Sequence, residues 1–205
     1  MALLPFTHLF TAICCGSTGS DKTLFVLRLI DNIETMVKPT PNSIIYYLME
    51  YQSVFDEYPQ VDLRQGVPKI QELEDTRDAL IVCDDMMIES IDGLLNVFTR
   101  GSHHRQNSVI HIVQNLFNSN KNMRTISLNA QYLVFFKSPR DSSQFVHLAK
   151  QLFPHNTRYA VEAYKLATEK LFSYLLLDHR NEQDELLRLR SNVFPDEKHA
   201  VYVPK

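Results

Sequence analysis

The segment Gly16–Thr23, Gly-Ser-Thr-Gly-Ser-Asp-Lys-Thr, constrains the fold of this chain more than any other feature. It follows an apolar run, Leu9–Cys15, and precedes an amphipathic run that starts at Leu24. A phosphate-binding loop requires this context of strand, tight loop and helix, because consecutive backbone N–H groups and the helix N-terminus then surround a phosphate. The sequence therefore predicts an α/β protein that binds a nucleotide.

The loop departs from the pattern G-x-x-x-x-G-K-[ST] at one position, where Asp21 replaces the second glycine. Lys22 is expected to reach the β- and γ-phosphates, and Thr23 to hold Mg²⁺. A carboxylate a few Å from the phosphates costs about 1 to 4 kcal/mol, depending on the effective dielectric constant. The side chain also crowds a position that favours glycine. The candidate nucleotide-binding residues are Gly16, Ser17, Thr18, Gly19, Ser20, Asp21, Lys22 and Thr23.

A second half of the site is predicted where the apolar run Ala79–Cys83 leads into two acids, Asp84 and Asp85. In nucleotide hydrolases, an acid at the end of a buried strand holds Mg²⁺, and a second acid polarises the attacking water. Asp84 is the candidate for the first role and Asp85 for the second. The alternative is that both acids cap the next predicted helix, Met86–Phe98.

Polar residues also flank the next predicted strand, Ser108–Gln114. Gln114 ends this strand, so its side chain is expected either in the ligand crevice at the carboxyl edge of the sheet or in a simple strand-end hydrogen bond. The preceding loop, Arg100-Gly-Ser-His-His-Arg105, is a candidate for anion contact or a solvated loop. Its adjacent histidines lack Cys or Glu partners at ligand spacing and do not predict a metal site.

The rest of the chain alternates between strand and helix patterns, which predicts a doubly wound α/β fold with a mostly parallel sheet and helices on both faces. Helices are predicted over Lys22–Val37, Lys69–Thr76, Asp141–Gln151 and Thr157–Thr168. Further strands are predicted over Ser43–Met49, Gln131–Phe136 and Phe172–Leu177. A loop with one helical turn is predicted over Tyr51–Val67, and a loop with a short helix over Asn115–Asn129. The 205 residues predict a single P-loop ATPase domain, 1–205, with its core at about 9–178 and a charged tail at 179–205.

Composition narrows the function classes. Hydrophobic residues make up 44% of the chain and charged residues 22%, as in an ordinary packed domain, and the net charge of −3 argues against wrapping in nucleic acid along its length. Cys14, Cys15 and Cys83 lie in apolar runs and are expected to be buried and reduced.

The apolar start of the chain lacks the basic region of a signal peptide, and no apolar run is long enough to span a membrane. An intracellular protein is therefore expected.

Several longer segments together resemble a known family. They are Gly16–Thr23, Leu80-Ile-Val-Cys-Asp-Asp85, Phe98-Thr-Arg-Gly-Ser-His-His-Arg105, Val109-Ile-His-Ile-Val-Gln-Asn115, Arg124-Thr-Ile-Ser-Leu-Asn-Ala130 and Phe136-Lys-Ser-Pro-Arg-Asp141. Over about residues 9–204 the chain resembles the genome-packaging ATPases of eukaryotic DNA viruses and of Polinton- or adintovirus-like elements. These are similar to the adenovirus and poxvirus packaging ATPases, in the FtsK/HerA branch of P-loop ATPases.

The resemblance implies a phosphate-loop strand flanked by the Asp84 and Gln114 strands, and ATP and Mg²⁺ as cofactors. Lys22 would bind phosphate, Thr23 and Asp84 would place the metal, Asp85 would be the catalytic acid and Gln114 the γ-phosphate sensor. Arg105, or alternatively Arg100, would act as an arginine finger toward the neighbouring subunit.

The resemblance also implies partners and a location. The partners would be double-stranded DNA, other copies of the chain in a homo-oligomeric ring, and capsid or portal vertex proteins, with no membrane. The location would be the host nucleus, a viral factory or the virion.

The aspartate at position 21 leaves three interpretations open. The first is a working packaging motor with a weakened loop. The second is an element-derived copy that keeps the fold, with or without nucleotide binding, but has lost hydrolysis. The third is a non-catalytic binding or ring-scaffold subunit. A small-molecule P-loop kinase is disfavoured, because the sequence has no lid-like arginine cluster.

Overall fold

The computed structural model describes residues 4–86, 106–116, 121–138 and 143–204. The strands are β1 (Phe6–Thr7), β2 (Thr11–Cys15), β3 (Val37–Lys38), β4 (Ser43–Leu48), β5 (Asp62–Gln65), β6 (Ala79–Asp84), β7 (Ser108–Val113), β8 (Tyr132–Phe136), β9 (Tyr174–Asp178), β10 (Leu189–Ser191) and β11 (Ala200–Tyr202). The α-helices are α1 (Lys22–Asp31), α2 (Ile33–Met36), α3 (Ile70–Asp75), α4 (Lys121–Asn129), α5 (Ser143–Leu152) and α6 (Thr157–Ala167). The predicted helix Met86–Phe98 lies outside the described residues except for Met86, and the loop Arg100–Arg105 and Asp141 lie outside them entirely.

The main sheet has the strand order β11-β10-β9-β8-β2-β7-β6-β4-β5. The strands from β8 to β5 in this order are parallel, and β9, β10 and β11 extend the sheet antiparallel. Side chains of β2, β6, β7 and β8 are buried along their full length. A parallel sheet covered on both faces produces such continuous apolar runs.

The sheet has an apolar core on each of its two faces. One core contains the buried side of α1, including Phe25 and Leu29. The other contains α5 and α6, including Phe145 and Tyr164. Helices therefore cover both faces, and the predicted α/β fold is confirmed.

The strand order corrects one expectation. β2 is flanked by the Gln114 strand β7 and by β8, whereas the Asp84 strand β6 lies beyond β7. Asp84 still belongs to the site because parallel strands end at the same edge of the sheet, and Thr23, at the start of α1, contacts it across the end of β7. The insertion of β7 places Gln114 between the phosphate loop and the two acids.

Two other regions differ from the sequence prediction. Asp62–Gln65 was expected to be loop but pairs with β4 as an edge strand, a position that needs no apolar pattern because one side meets solvent. The segment predicted as a charged tail contributes β10 and β11 to the sheet, and Arg190 on β10 is buried because it pairs with the buried Asp178.

Helix and strand ends also shift. The first helix ends at Asp31 instead of Val37, because Asn32 interrupts the helical backbone before the short α2. Phe172 precedes β9 with a positive φ of 60° and does not belong to the strand. Within the described residues, no helix is long and apolar enough to cross a membrane.

Candidate nucleotide-binding site

The two glycines of the phosphate loop are required for different reasons. A Cβ on Gly16 would lie 2.6 Å from Ser20 Oγ and 2.7 Å from Phe136 Cβ, so a larger residue does not fit. Gly19 has open space around it but a φ of +75°, a conformation that glycine adopts without steric cost. The sequence pattern of the loop therefore corresponds to a tightly packed, left-handed turn between β2 and α1.

Asp21 adopts the backbone conformation that a glycine would have at this position. Its φ and ψ are 61° and 28°, in the left-handed region, and it is the N-cap residue of α1. Aspartate enters this region more readily than most residues with a Cβ. An aspartate therefore occupies a backbone region that glycine favours, and its side chain makes no capping hydrogen bond to the helix.

The loop contains groups that fit a bound phosphate. Lys22 is only 8% exposed, and its Nζ donates to the carbonyl oxygen of Ser17 at 2.9 Å. Burial lowers the pKa of Lys22, while the charges of Asp85 and Asp84 act in the opposite direction. Ser20 Oγ is buried and has no hydrogen-bond partner among the described residues. A buried ammonium group and an unpartnered hydroxyl in one loop suit the oxygens of a phosphate.

Thr23 and Asp84, the two residues predicted to hold Mg²⁺, contact each other. Thr23 Oγ1 donates to Asp84 Oδ2 at 3.0 Å, and the carboxylate is 8% exposed. Mg²⁺ prefers oxygen ligands and is usually held by one or two carboxylates together with phosphates and water. The pair fits such an ion. Among the described residues, no group of three or more His, Cys, Asp or Glu side chains could hold a metal.

Tyr46 is a site residue that the sequence did not reveal. Its hydroxyl, from the buried strand β4, donates to Asp84 Oδ2 at 2.7 Å. Burial raises the pKa of Asp84, whereas the hydrogen bonds from Tyr46 and Thr23 lower it. Burial also raises the pKa of Tyr46, so the hydroxyl remains a donor. A tyrosine inside an otherwise apolar strand was the available signal, but its partner on another strand was not visible in the sequence.

Gln114 connects the phosphate loop to the second acid. Its Nε2 donates to Asp85 Oδ2 at 2.7 Å, and its Oε1 accepts from Thr18 Oγ1 at 3.2 Å. Asp85 is exposed and has a φ of 45°, which turns the chain just after β6. The structure thus brings Thr18, Gln114 and Asp85 together, while Arg100 and Arg105 lie outside the described residues.

The chain matches no protein-family model and no curated protein by sequence. It is similar to the solved structure of the genome packaging NTPase B204 from Sulfolobus turreted icosahedral virus 2 in complex with sulfate, with a TM-score of 0.57, 11% identity and coverage of 96% of this chain and 97% of that one. The complex of the same NTPase with ATP-γS gives a TM-score of 0.53, 11% identity and coverage of 96% and 98%.

A third similar structure is the cytoplasmic domain of the Thermomonospora curvata type VII secretion ATPase EccC, with a TM-score of 0.54 and 12% identity. It covers 86% of this chain, which spans 25% of that longer protein. These similarities agree with the resemblance expected from the sequence. The chain has the α/β fold of P-loop NTPases, and over nearly its whole length this fold is similar to that of a viral genome packaging NTPase.

Proposed function

We propose that the chain is a nucleoside triphosphatase that binds Mg²⁺ and ATP at Gly16–Thr23 and acts as a subunit of a motor that packages double-stranded DNA. The observation that carries this proposal is the convergence of two strands on one loop. Asp84 from β6 contacts Thr23 at 3.0 Å, and Gln114, which follows β7, contacts both Thr18 and Asp85. A phosphate loop and two acids in this arrangement are the parts that nucleotide hydrolysis requires.

Each side chain has a defined task in this proposal. Lys22 neutralises charge on the β- and γ-phosphates, and Thr23 and Asp84 hold Mg²⁺. When bound, the ion would neutralise the charge that develops on the phosphate oxygens. Asp85 accepts a hydrogen bond from the attacking water and orients it. Gln114 already bridges the loop and Asp85, so it can report whether a γ-phosphate is present.

The motor function adds groups from neighbouring subunits. We propose that copies of the chain form a ring, in which Arg105, or alternatively Arg100, contacts the nucleotide of the next subunit. An arginine supplied in this way is worth roughly 10³-fold or more in related hydrolases. The ring would thread double-stranded DNA and dock on a capsid or portal vertex. The fold similarity to a packaging NTPase supports this assignment.

A second candidate is a nucleotide-binding protein that has lost hydrolysis, and Asp21 is the observation that favours it. The left-handed backbone at Asp21 argues for the active form, because this is a region that glycine favours and that aspartate enters more readily than most residues with a Cβ. The two candidates differ in turnover and not in fold.

The test compares ATP hydrolysis by the unmodified chain, Lys22→Ala and Asp21→Gly, with Mg²⁺ and with or without double-stranded DNA. Lys150→Ala is the matched control, because it removes a lysine from the exposed side of α5. The motor assignment predicts DNA-stimulated hydrolysis that Lys22→Ala abolishes and Lys150→Ala preserves. Hydrolysis by Asp21→Gly alone would instead support the inactive copy.

Two further assays address the ring. When Arg105→Ala subunits are mixed into wild-type protein, ATP hydrolysis should fall by more than the mutant's share of the mixture. A fall in proportion to that share would contradict an arginine finger that acts between subunits. Neutralising Lys121 and Arg124 should reduce DNA-stimulated hydrolysis more than basal hydrolysis, and equal loss of both would contradict DNA contact by these residues.

A further inference from the structure

A cavity of about 330 Å³ adjoins the phosphate loop on the side away from the acids. It lies between α1 and the segment that precedes β9, and this volume is within the range of small-molecule sites. Its floor is an aromatic cluster in which Phe25 packs against Tyr174 and Phe194, with ring centroids 4.8 and 5.2 Å apart. Its rim includes Leu24 and Phe172, which are 51% and 56% exposed.

The sheet topology determines which part of a nucleotide could reach this cavity. Asp84 ends β6, Asp85 follows it and Gln114 follows β7, and both strands lie on the same side of β2. The cavity lies on the other side, where β8 and β9 are, and the pairing of Phe136 with Tyr174 places the start of β9 at the carboxyl edge of the sheet. A triphosphate on the loop with its γ-phosphate at the acids therefore extends its nucleoside toward the cavity.

The rim of the cavity suits a nucleobase. Phe172 is a largely exposed aromatic residue with a φ of 60°, and bulky residues adopt this conformation rarely and mostly at functional sites. Leu171 beside it is 77% exposed. Bases stack on aromatic side chains with little dependence on their identity. Exposed apolar side chains at the mouth of a pocket next to a phosphate loop thus provide a surface for a base.

Asp21, the N-cap residue before α1, is one of the residues that line the cavity. Leu24 and Arg28 follow the i, i+4 spacing on one face of α1, and they line the cavity together with Phe25 and with Asp21, which precedes the helix. Arg28 is committed to Asp196 and Glu197 at 2.6 and 2.7 Å. The carboxylate of Asp21 makes no capping bond and is partly exposed. At the wall of the cavity it is an available acceptor for hydroxyl donors.

We propose that this cavity holds the nucleoside of the bound triphosphate, and that the carboxylate of Asp21 accepts hydrogen bonds from the ribose 2′- and 3′-hydroxyls. The inference rests on the proposed nucleotide binding. An ionised carboxylate is an acceptor with two oxygens, and two adjacent hydroxyls match it. The residue that departs from the glycine pattern is then a sugar-recognising residue, and its contacts offset the repulsion from the phosphates.

The test measures equilibrium binding of ATP, 2′,3′-dideoxy-ATP and inorganic tripolyphosphate to the full chain in the presence of Mg²⁺. The unmodified chain should bind ATP about tenfold or more tightly than dideoxy-ATP, as expected for hydrogen bonds to a charged group. Asp21→Gly should reduce this ratio to within about twofold, and Asp21→Asn should give an intermediate ratio. Glu34→Ala, which removes an exposed acid from α2, should leave the ratio unchanged.

The ratio separates sugar recognition from phosphate repulsion, because repulsion affects both nucleotides equally and cancels. If Asp21→Gly strengthens all three ligands without changing the ratio, the carboxylate only repels phosphate and the sugar contact is refuted. The base surface has its own test in Phe172→Ala, which should weaken ATP about tenfold and leave tripolyphosphate unchanged. Leu166→Ala, at an exposed leucine on α6, is its control.

The outcomes also distinguish this inference from the proposed function. If ATP and tripolyphosphate bind the unmodified chain equally tightly, the phosphate site stands and the nucleoside pocket is refuted. If neither ligand binds, the proposed function fails and the inference fails with it.

Discussion

Replacing Tyr46 with phenylalanine tests whether a buried hydroxyl positions Asp84, the acid that is proposed to hold Mg²⁺. The change removes one oxygen atom and leaves the ring in the core. Asp84 then loses the 2.7 Å hydrogen bond, and among the described residues it keeps the one from Thr23. Because the lost bond stabilised the ionised carboxylate, its removal raises the pKa of Asp84 further above its usual range. More of the carboxylate is then protonated at mildly acidic pH. On a plot of Mg²⁺ affinity against pH, the loss of affinity on the acid side (the acid limb) therefore moves to higher pH.

The structure also sets the expected size of the effect. A hydrogen bond to a charged group contributes about 1.5 to 3 kcal/mol. Loss of a group that orients a metal ligand typically costs about 10- to 100-fold in metal affinity. We therefore expect Tyr46→Phe to lower the affinity for Mg²⁺, measured with ATP present, by about tenfold or more. The affinity for ATP without Mg²⁺ should change less.

The assay titrates Mg²⁺ into the protein with ATP present, by calorimetry at several pH values from 5 to 8. Tyr132→Phe is the matched control, since Tyr132 is equally buried but its hydroxyl accepts from the backbone N–H of Thr7 at 3.0 Å, at the opposite edge of the sheet. The control should lower the free energy of unfolding without moving the acid limb. An unchanged Mg²⁺ affinity and pH profile in Tyr46→Phe would refute the positioning role.

Three further predictions concern stability. Gly16→Ala should lower the free energy of unfolding by about 1 to 3 kcal/mol through overpacking, and it should weaken ATP binding, whereas Gly19→Ala strains only the backbone. Thermal melts and ATP titrations measure these effects. A Gly16→Ala variant with unchanged stability would contradict the tight packing around Gly16. Burial lowers the pKa of His111 to about 4, so as the pH falls below about 6.5 the unfolded chain takes up a proton that the folded chain does not, and the folded state loses stability. His111→Leu removes this loss. In urea unfolding, the stability of His111→Leu relative to wild type should therefore be about 2 to 3 kcal/mol greater at pH 4.5 than at pH 7.5. Asp178→Asn should cost about 3 to 5 kcal/mol in urea unfolding because the buried Arg190 loses its partner, and a loss below 1 kcal/mol would contradict that pairing.

The sequence predicted the parts of the fold that depend on local patterns. Continuous apolar runs located the central strands within one or two residues, and the Gly16–Thr23 pattern located the β2–α1 turn. The paired acids were predicted to lie near the loop, and the Thr23–Asp84 contact is present. Each of these follows from short stretches of chain whose burial or turn geometry is encoded in residue type.

The remaining features depend on contacts between distant residues. Tyr46 gave the pattern of an ordinary core residue, because its acid partner lies 38 positions away. Arg190 belonged to the predicted charged tail, and its burial could not be predicted because it depends on Asp178 in another strand. The insertion of β7 between β2 and β6 depends on the path of the chain, which residue types alone do not specify.

The left-handed conformation of Asp21 was also beyond the pattern. The sequence indicated a misfit at a glycine position, whereas the structure shows an aspartate in the conformation that a glycine would adopt. The backbone at position 21 therefore lies in a region that aspartate and glycine can both adopt.

The most direct test of the central claim is the equilibrium affinity of the unmodified chain and of Lys22→Ala for ATP in the presence of Mg²⁺. If Gly16–Thr23 is a working phosphate loop, the unmodified chain binds ATP, and Lys22→Ala weakens this affinity by at least about tenfold at unchanged thermal stability. Equal affinity of the two proteins, or no binding by the unmodified chain, would contradict nucleotide binding at this loop.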